Sequence, residues 1–207
     1  MPERYVGTKF RTEFARADAP RDARIGELAE HCRNLARLGL GGDTAGNLSF
    51  RTAGGFIINR TAGHLGRIEP DEFVEVLGVD LAARVVTVAG LHEPSSESLM
   101  HAAIYAARAE VNAVFHGHCA PLLAAAASLR LPVTEREQPY GTPELAAEIL
   151  AVLGGHDLIV LRGHGFVALG RTMDEAASRV EAVLRRLSEC KDAVGKQVRQ
   201  PPSLPPC

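Results

Sequence analysis

Hydrophobic residues recur at three- and four-residue spacing along several stretches of the chain, a pattern that predicts amphipathic helices. The first stretch runs roughly from Phe10 to Leu38, and its clearest periodicity lies between Ile25 and Ala36. Gly39 follows it, as glycine commonly follows the last turn of a helix. The same reasoning, helped by serine or proline near the first turn, predicts four further helices: Ser95 to about Arg108, Pro121 to Leu129, Pro143 to Leu153 and Met173 to about Val194.

Short runs rich in β-branched and aromatic residues lie between these helices and predict strands. The Gly54-Gly55 pair separates the first two runs and predicts a hairpin turn. Mixed strands and helices in this order favour an α/β sandwich with one central sheet. The predicted strands are Asn47–Arg51, Phe56–Asn59, Phe73–Gly78, Arg84–Ala89, Val111–Phe115, Leu158–Leu161 and Phe166–Leu169.

The length of 207 residues fits a single domain, which we predict over residues 1–200, followed by a flexible proline-rich tail at 201–207. A formal net charge of -2 with interleaved acidic and basic residues argues against a nucleic-acid or membrane partner. No apolar run is long enough to cross a bilayer. The first ten residues lack the apolar core of a secretory signal, so we expect a cytoplasmic protein. The four cysteines are widely spaced, which predicts free thiols.

The most informative short motif is His116-Gly117-His118. Residues i and i+2 of a strand project to the same face, so the two imidazoles can reach one ion, and Gly117 is expected to leave room on the opposite face. His164 lies between two glycines, whose backbone freedom lets a third imidazole approach. Three imidazoles and one open position are typical of a catalytic zinc site. For the other histidines we favour structural or surface roles, with His101 buried in its helix.

Glu97 lies near the start of a predicted helix and leaves three interpretations open. A carboxylate beside a metal can be a fourth ligand, or it can move a proton to and from a carbon acid. A glutamate in the first turn can also serve only to complement the helix dipole.

Two segments have the composition of an anion-binding pocket. Thr44 to Ser49 combines small polar side chains with flexible backbone, which can turn N–H groups toward an anion. Ser95 and Ser96 lie at a predicted helix N-terminus, where unpaired N–H groups attract anions. The plainer interpretation of both segments is a turn and a helix cap.

Taken together, six segments resemble the class II aldolase/adducin family over about Gly26 to Glu189. The resemblance implies a three-layer α/β/α sandwich around a central, largely antiparallel (mixed) sheet, usually in a homotetramer. The segments are TAGNLS at 44–49, PSSE at 94–97, MHAAIYAAR at 100–108, AVFHGH at 113–118, YGTPELA at 140–146 and LRGHGFVALG at 161–170.

The resemblance also implies roles for individual residues. His116, His118 and His164 match metal ligands for one divalent ion per subunit, for which Zn²⁺ is the first expectation and Mn²⁺, Fe²⁺ and Co²⁺ are alternatives. Glu97 matches an acid/base glutamate that can also bind the metal in the empty site. Substrate phosphate is expected to be held by Thr44, Asn47, Gly63, Ser95 and Ser96.

The chain departs from the family pattern near the substrate. In the loop Arg60-Thr61-Ala62-Gly63, Ala62 replaces a hydroxyl-bearing residue, and Arg60 or Thr61 can compensate or bind a carboxylate instead. The segment between His118 and Tyr140 is shortened, and it is the region where sugar-phosphate aldolases carry a proton-donor tyrosine. Tyr140 is the only candidate nearby.

The predicted function is therefore a divalent-metal-dependent aldolase-type lyase of carbohydrate metabolism. It would cleave a carbon–carbon bond in a small ketose phosphate or related hydroxy-carbonyl compound through a metal-stabilised enediolate. The alternatives are a metal-dependent decarboxylase of a hydroxylated aromatic or oxo acid and a sugar-phosphate 4-epimerase. A non-catalytic adducin-like module is less expected, because Glu97 and all three histidines are present.

Overall fold

A computed structural model of the protein describes residues 6–41 and 44–198, and the strands within these ranges form one sheet. In chain order, its strands are β1 Arg11–Arg16, β2 Asn47–Arg51, β3 Phe56–Asn59, β4 Phe73–Asp80, β5 Val85–Ala89, β6 Ala113–Gly117, β7 Leu158–Leu161 and β8 Gly165–Gly170. Their spatial order is β1-β5-β4-β3-β2-β6-β8-β7. Neighbouring strands are antiparallel, except that β1 runs parallel to β5. The predicted largely antiparallel mixed sheet is thereby confirmed.

Helices cover both faces of this sheet, and in chain order they are α1 Ile25–Arg37, α2 Ser98–Ala107, α3 Ala120–Ala125, α4 Pro143–Leu153 and α5 Met173–Val198. Because successive strand residues point to opposite faces, Phe115 and Phe166 pack with α1, α3 and α5, whereas Val114 and Val167 pack with α2 and α4. Full burial of a phenylalanine side chain contributes about 1.5–3 kcal/mol, so both cores hold the layers firmly. The predicted α/β/α sandwich is confirmed. Two 3-10 turns lie at Leu65–Arg67 and Pro70–Glu72.

The prediction of one helix from Phe10 to Leu38 is wrong in its first part. Residues Arg11–Arg16 form the edge strand β1, and the helix begins only at Ile25. The hydrophobic pattern does not predict this strand. It pairs with β5 alone and most of its side chains are exposed, so its sequence has no hydrophobic alternation.

The helix expected to open at Ser95 begins three residues later, at Ser98. The Ser95 N–H donates to the carbonyl of Asn59 at 3.0 Å, which extends the pairing of β3 into this segment and delays the helix. The residue before the first turn is Glu97, and its side chain makes no capping hydrogen bond. The delay leaves Glu97 in a non-helical conformation, pointing away from the solvent.

The other predicted helices and strands are present in the structure, and any differences from the prediction lie at their ends. The strand expected at Val111–Phe115 occupies Ala113–Gly117, and the helix expected at Pro121–Leu129 is the shorter α3. Pro143–Leu153 is helical as predicted, and its Thr142 side chain accepts a hydrogen bond from the N–H of Leu145. The Gly54-Gly55 turn joins antiparallel β2 and β3, and a Cβ on Gly55 would collide with the Val76 carbonyl.

For several remaining expectations, the structure describes only some of the residues concerned. Cys32, Cys119 and Cys190 are free thiols, and Cys207 lies outside the described residues. The proline-rich tail at 201–207 also lies outside them. No helix in the described ranges combines the length and apolar character needed to span a membrane.

Candidate metal centre and substrate pocket

His116 is the central residue of the predicted metal site and lies on β6, between β2 and β8. Its side chain is fully buried, and its Nδ1 lies 2.9 Å from the carbonyl oxygen of Phe166. Because a carbonyl oxygen only accepts, Nδ1 carries the hydrogen. Nε2 is therefore the ring nitrogen left to bind a metal.

His118 follows the end of β6, and its Nε2 lies 2.9 Å from Nε2 of His116. Its backbone N–H donates to the Leu40 carbonyl at 2.6 Å, which fixes the chain beyond the strand. Gly117 has no side chain and leaves room on the opposite face, as expected, and other groups of the protein occupy this room. A Cβ on Gly117 would lie 3.0 Å from the Phe166 ring and 3.1 Å from the Leu40 carbonyl oxygen, so that face is already filled.

His164 comes from the tight turn between β7 and β8. Gly163 has a φ of 70°, a left-handed conformation that favours glycine. A Cβ on Gly165 would lie 2.5 Å from the Gly117 carbonyl oxygen and 2.9 Å from Cε1 of His116. Both glycines are thus needed for the turn to bring the third imidazole close to the other two.

Glu97 completes the cluster from the segment before α2. Its Oε2 lies 3.0 Å from Nε2 of His116, and its Oε1 lies 3.4 Å from Nε2 of His164. Asn47 Nδ2 donates a hydrogen bond to Oε2 at 2.8 Å. One ligand atom from each of the three histidines and Glu97 lies within 4.8 Å of all the others.

The ionisation of the cluster suits a cation. Burial alone would raise the pKa of Glu97, but the neighbouring imidazoles of His116 and His164 and the Asn47 hydrogen bond lower it well below its usual range. Burial, with His116 and His164 nearby, lowers the pKa of His118 to about 3. Near neutral pH the cluster therefore presents a carboxylate and a neutral His118 ring.

The donor atoms themselves fit a metal ion. With Nδ1–H of His116 given to Phe166, its Nε2 faces the Glu97 oxygen at 3.0 Å and the His118 nitrogen at 2.9 Å, so nitrogen and oxygen atoms of three side chains converge. Imidazole nitrogens and carboxylate oxygens are the atoms that bind zinc and other divalent metals in proteins. In addition, the buried Oε1 of Glu97 has no hydrogen-bond partner among the described residues. Three imidazoles and a carboxylate could hold one divalent metal.

A cavity of about 280 Å³ opens onto this cluster. Four of the five predicted phosphate-binding residues line it: Thr44, Asn47, Ser95 and Ser96. Gly63 is outside its lining, and its N–H is directed to the Arg60 carbonyl at 3.4 Å. The neighbouring Ala62 lines the cavity instead, with a φ of 51°.

Two further lining residues already have partners. The Arg60 guanidinium donates through Nε to Glu72 at 2.7 Å, so its charge is partly balanced within the protein. The Tyr140 hydroxyl accepts from the Val6 N–H at 2.8 Å and donates to the Gly7 carbonyl at 3.1 Å. Tyr140 thus links the N-terminal segment to the cavity wall.

Two residues of this region escaped the sequence analysis. Glu137 lines the cavity with its carboxylate directly over Gly163, where a side chain would collide with it. His101 is buried as expected, but its Nε2 contacts the Oδ1 of Asn47 at 2.6 Å. Nothing in the local sequence signals either contact, because both partners are distant along the chain.

Comparison with known proteins agrees with this geometry. The profile of the Class II Aldolase and Adducin N-terminal domain matches residues 26–189. A methylthioribulose-1-phosphate dehydratase of Gluconacetobacter diazotrophicus is 33% identical, covering 73% of this chain and 84% of that protein. A 5-methylthioribulose-1-phosphate/5-deoxyribulose-1-phosphate aldolase of Rhodospirillum rubrum is 30% identical, covering 86% and 84%. A solved L-fuculose 1-phosphate aldolase gives a TM-score of 0.70 at 25% identity, covering 90% of this chain and 92% of that one. The chain belongs to the class II aldolase and adducin family.

Proposed function

We propose that the protein is a divalent-metal-dependent lyase that cleaves a carbon–carbon bond in a small ketose phosphate. The observation that carries this proposal is the buried, ionised Glu97 among three imidazoles at one end of a cavity. Such a cluster combines a Lewis-acid site with a carboxylate that can move a proton.

The resident metal in this proposal is Zn²⁺, held by His116, His118 and His164 with Glu97 nearby. Neutral imidazoles and a carboxylate suit zinc, although Mn²⁺, Fe²⁺ and Co²⁺ accept the same ligands. When bound, the ion would polarise the substrate carbonyl and offset the charge of the enediolate left by bond cleavage.

Glu97 is the proposed acid–base group. Asn47 and His116 contact its Oε2 at 2.8 and 3.0 Å, whereas Oε1 lacks a hydrogen-bond partner among the residues described. We assign proton transfer at the substrate carbon to Oε1. Because its pKa is low, Glu97 is ionised at the start, so in cleavage it would first accept the proton of the substrate hydroxyl and then return it to the enediolate carbon.

The proposed phosphate site comprises Thr44, Ser95 and Ser96, whose side chains line the cavity near Glu97. Hydroxyl and backbone N–H donors suit a phosphate. All three relatives compared above carry a 1-phosphorylated ketose in their names, which supports a phosphate rather than a carboxylate. The decarboxylase alternative depends on Arg60, which is already paired with Glu72, and is therefore weaker.

Dehydration of the same substrate class is the second candidate. Removing water from a ketose phosphate needs a base for the carbon-bound hydrogen and an acid for the departing hydroxyl. Glu137 gives the cavity a second carboxylate in addition to Glu97. The dehydratase among the relatives supports this candidate as well.

The deciding experiment is product analysis with zinc-loaded protein and two ketose 1-phosphates, L-fuculose 1-phosphate and 5-methylthioribulose 1-phosphate. Carbon–carbon cleavage releases dihydroxyacetone phosphate and an aldehyde, whereas dehydration gives one product lighter by a water. We expect Glu97→Gln to lower turnover about 100-fold or more, and the exposed Glu181→Gln to match wild type. Absence of both products would refute the proposed function.

We also propose a cytoplasmic homotetramer, which the family resemblance implies. Light scattering on the purified protein tests the assembly, and a molar mass equal to one chain would contradict it. Fractionation of the expressing cells tests the location.

A further inference from the structure

A chain of buried hydrogen bonds leads from α2 to the carboxylate of Glu97. The Tyr105 hydroxyl lies 2.8 Å from Ser49 Oγ, which lies 2.7 Å from Nδ1 of His101. Nε2 of His101 lies 2.6 Å from Oδ1 of Asn47, and Nδ2 of Asn47 lies 2.8 Å from Oε2 of Glu97. All five side chains are buried, so water does not compete for these contacts.

Chemistry fixes the direction of every bond in this chain. The Glu97 carboxylate only accepts, so Asn47 donates through Nδ2 and turns Oδ1 to His101. The amide oxygen also only accepts, so Nε2 of His101 carries its hydrogen. Burial lowers the pKa of His101 to about 3, and the neutral ring therefore has a bare Nδ1 that accepts from Ser49. The Ser49 oxygen then accepts from the Tyr105 hydroxyl.

Every donor consequently points toward Glu97. Hydrogen bonds aligned head to tail polarise one another, and a buried network with all partners satisfied is rigid. Removing the His101 donor would leave Asn47 Oδ1 buried without its partner. The Asn47 amide could then rotate and turn its oxygen toward the Glu97 carboxylate, which would repel it.

We propose that His101 is a positioning residue that acts through Asn47 to hold the orientation of Glu97. It directs Oε2 to Asn47 and His116, and it leaves Oε1 on the side of His164, without a hydrogen bond among the described residues. The catalytic half of this inference rests on the proposed function of Glu97. The assignment also makes support of Glu97 the main role of the Asn47 amide, since its oxygen and one N–H are already engaged.

A pair of substitutions tests the inference. His101→Leu keeps a buried apolar volume and removes the donor, whereas His101→Gln can place an amide N–H where Nε2 stands. Loss of an outer hydrogen-bond partner of a metal ligand typically costs about 10–100-fold in affinity or activity. We expect His101→Leu to lower zinc affinity and kcat by about tenfold or more, with KM changed less than about threefold, and His101→Gln to restore most of both. Circular dichroism and thermal melts establish that each variant is folded.

Zinc affinity is measured by competition with a chelating dye, which requires no substrate. Nitrogen-detected NMR of His101 in the wild-type protein gives a further readout, and we expect the Nε2–H tautomer. A folded His101→Leu protein with wild-type zinc affinity and kcat would overturn the inference, as would the Nδ1–H tautomer. If wild type turns over no ketose phosphate while the zinc affinities and tautomer behave as expected, only the proposed function fails. A His101→Leu protein that does not fold leaves the tautomer and His101→Gln to decide.

Discussion

The Nδ1–H of His116 donates to the carbonyl oxygen of Phe166 at 2.9 Å, across the pairing of β6 with β8. This single contact selects the tautomer of the ring and aims Nε2 at the other members of the cluster. A backbone carbonyl in a sheet cannot rotate away, so the ring is oriented before any metal arrives. A preoriented set of ligands favours tight binding.

Zinc is therefore expected to stabilise the folded protein. A ligand at one hundred times its dissociation constant adds about 2.7 kcal/mol to the free energy of unfolding. Differential scanning calorimetry should show a higher Tm with zinc than with chelator. His116→Gln should abolish the increase, and exposed His156→Gln should retain it. An equal zinc-induced increase in the His116 variant would count against the predicted site.

Gly165→Ala is expected to damage the cluster more than the fold. The new methyl group would lie 2.5 Å from the Gly117 carbonyl oxygen and 2.9 Å from Cε1 of His116, and such crowding costs about 1–3 kcal/mol. Displacing the ring should weaken zinc binding about tenfold or more. Gly155→Ala is the matched control, because a Cβ there has no heavy atom within 4 Å. Equal zinc affinities in the two variants would show that the close packing at Gly165 is dispensable.

Stability of the metal-free protein should fall in mild acid, partly because of His101. Burial lowers its folded-state pKa from 6.5 to about 3, so between these values the unfolded chain binds the extra proton. The contribution of His101 is complete above about pH 6.5 and is lost as pH decreases toward 3, at about 1.4 kcal/mol per pH unit. Urea unfolding from pH 7 to pH 5 should give a shallower pH dependence for His101→Gln than for wild type. Identical slopes would mean that His101 is not held neutral.

Tyr140→Phe is expected to lower stability rather than turnover. The substitution removes a hydroxyl that bonds the backbone of Val6 and Gly7, at a cost of about 1 kcal/mol per hydrogen bond. We expect kcat within about threefold of wild type, because a hydroxyl already engaged on both sides is poorly disposed to donate a proton. A decrease of about 100-fold in kcat would instead identify Tyr140 as the proton donor.

Glu137→Gln should separate the two candidate reactions. If Glu137 supplies the second acid–base group of a dehydration, its amide should lower formation of the dehydrated product about 100-fold or more. Carbon–carbon cleavage, assigned to Glu97 alone, should change less than about threefold. Glu135→Gln, an exposed neighbour, serves as control. Loss of cleavage activity in the Glu137 variant would require a role for Glu137 in that reaction too.

The sequence was sufficient for the parts of this molecule that depend on local pattern. The alternation of side chains along a strand predicted that His116 and His118 lie close together. The glycines on both sides of His164 predicted that its imidazole approaches them. By contrast, β1 is an exposed edge strand without hydrophobic alternation, so nothing in its side chains distinguished it from a helix or loop. The non-helical Glu97 was missed because the pairing of Ser95 with Asn59 is a tertiary contact.

The residues around Glu97 also differ in how far the sequence could predict them. Asn47 lies 50 residues before Glu97, and the register of β2 against β6 pairs Asn47 with His116, whose imidazole contacts Glu97. Asn47 was recognised by its motif but assigned only to phosphate, because sequence spacing does not show where an amide points. The contacts of His101 and Glu137 could be identified only from the folded structure, because each residue and its partner lie in different parts of the chain.

His116 lies on β6, which is paired on both sides, so metal binding is expected to depend on complete folding of the sheet. A shift of the β6 pairing by one residue would bring Phe115 or Gly117 to the place of the imidazole and turn His116 to the other face of the sheet. His164 arrives only after β7 and β8 have joined, and Glu97 only after the segment before α2 is paired with β3. Tight zinc binding is therefore expected to appear late in refolding. During synthesis, the incomplete chain would bind metal ions only weakly, because no partial structure brings all four ligands together.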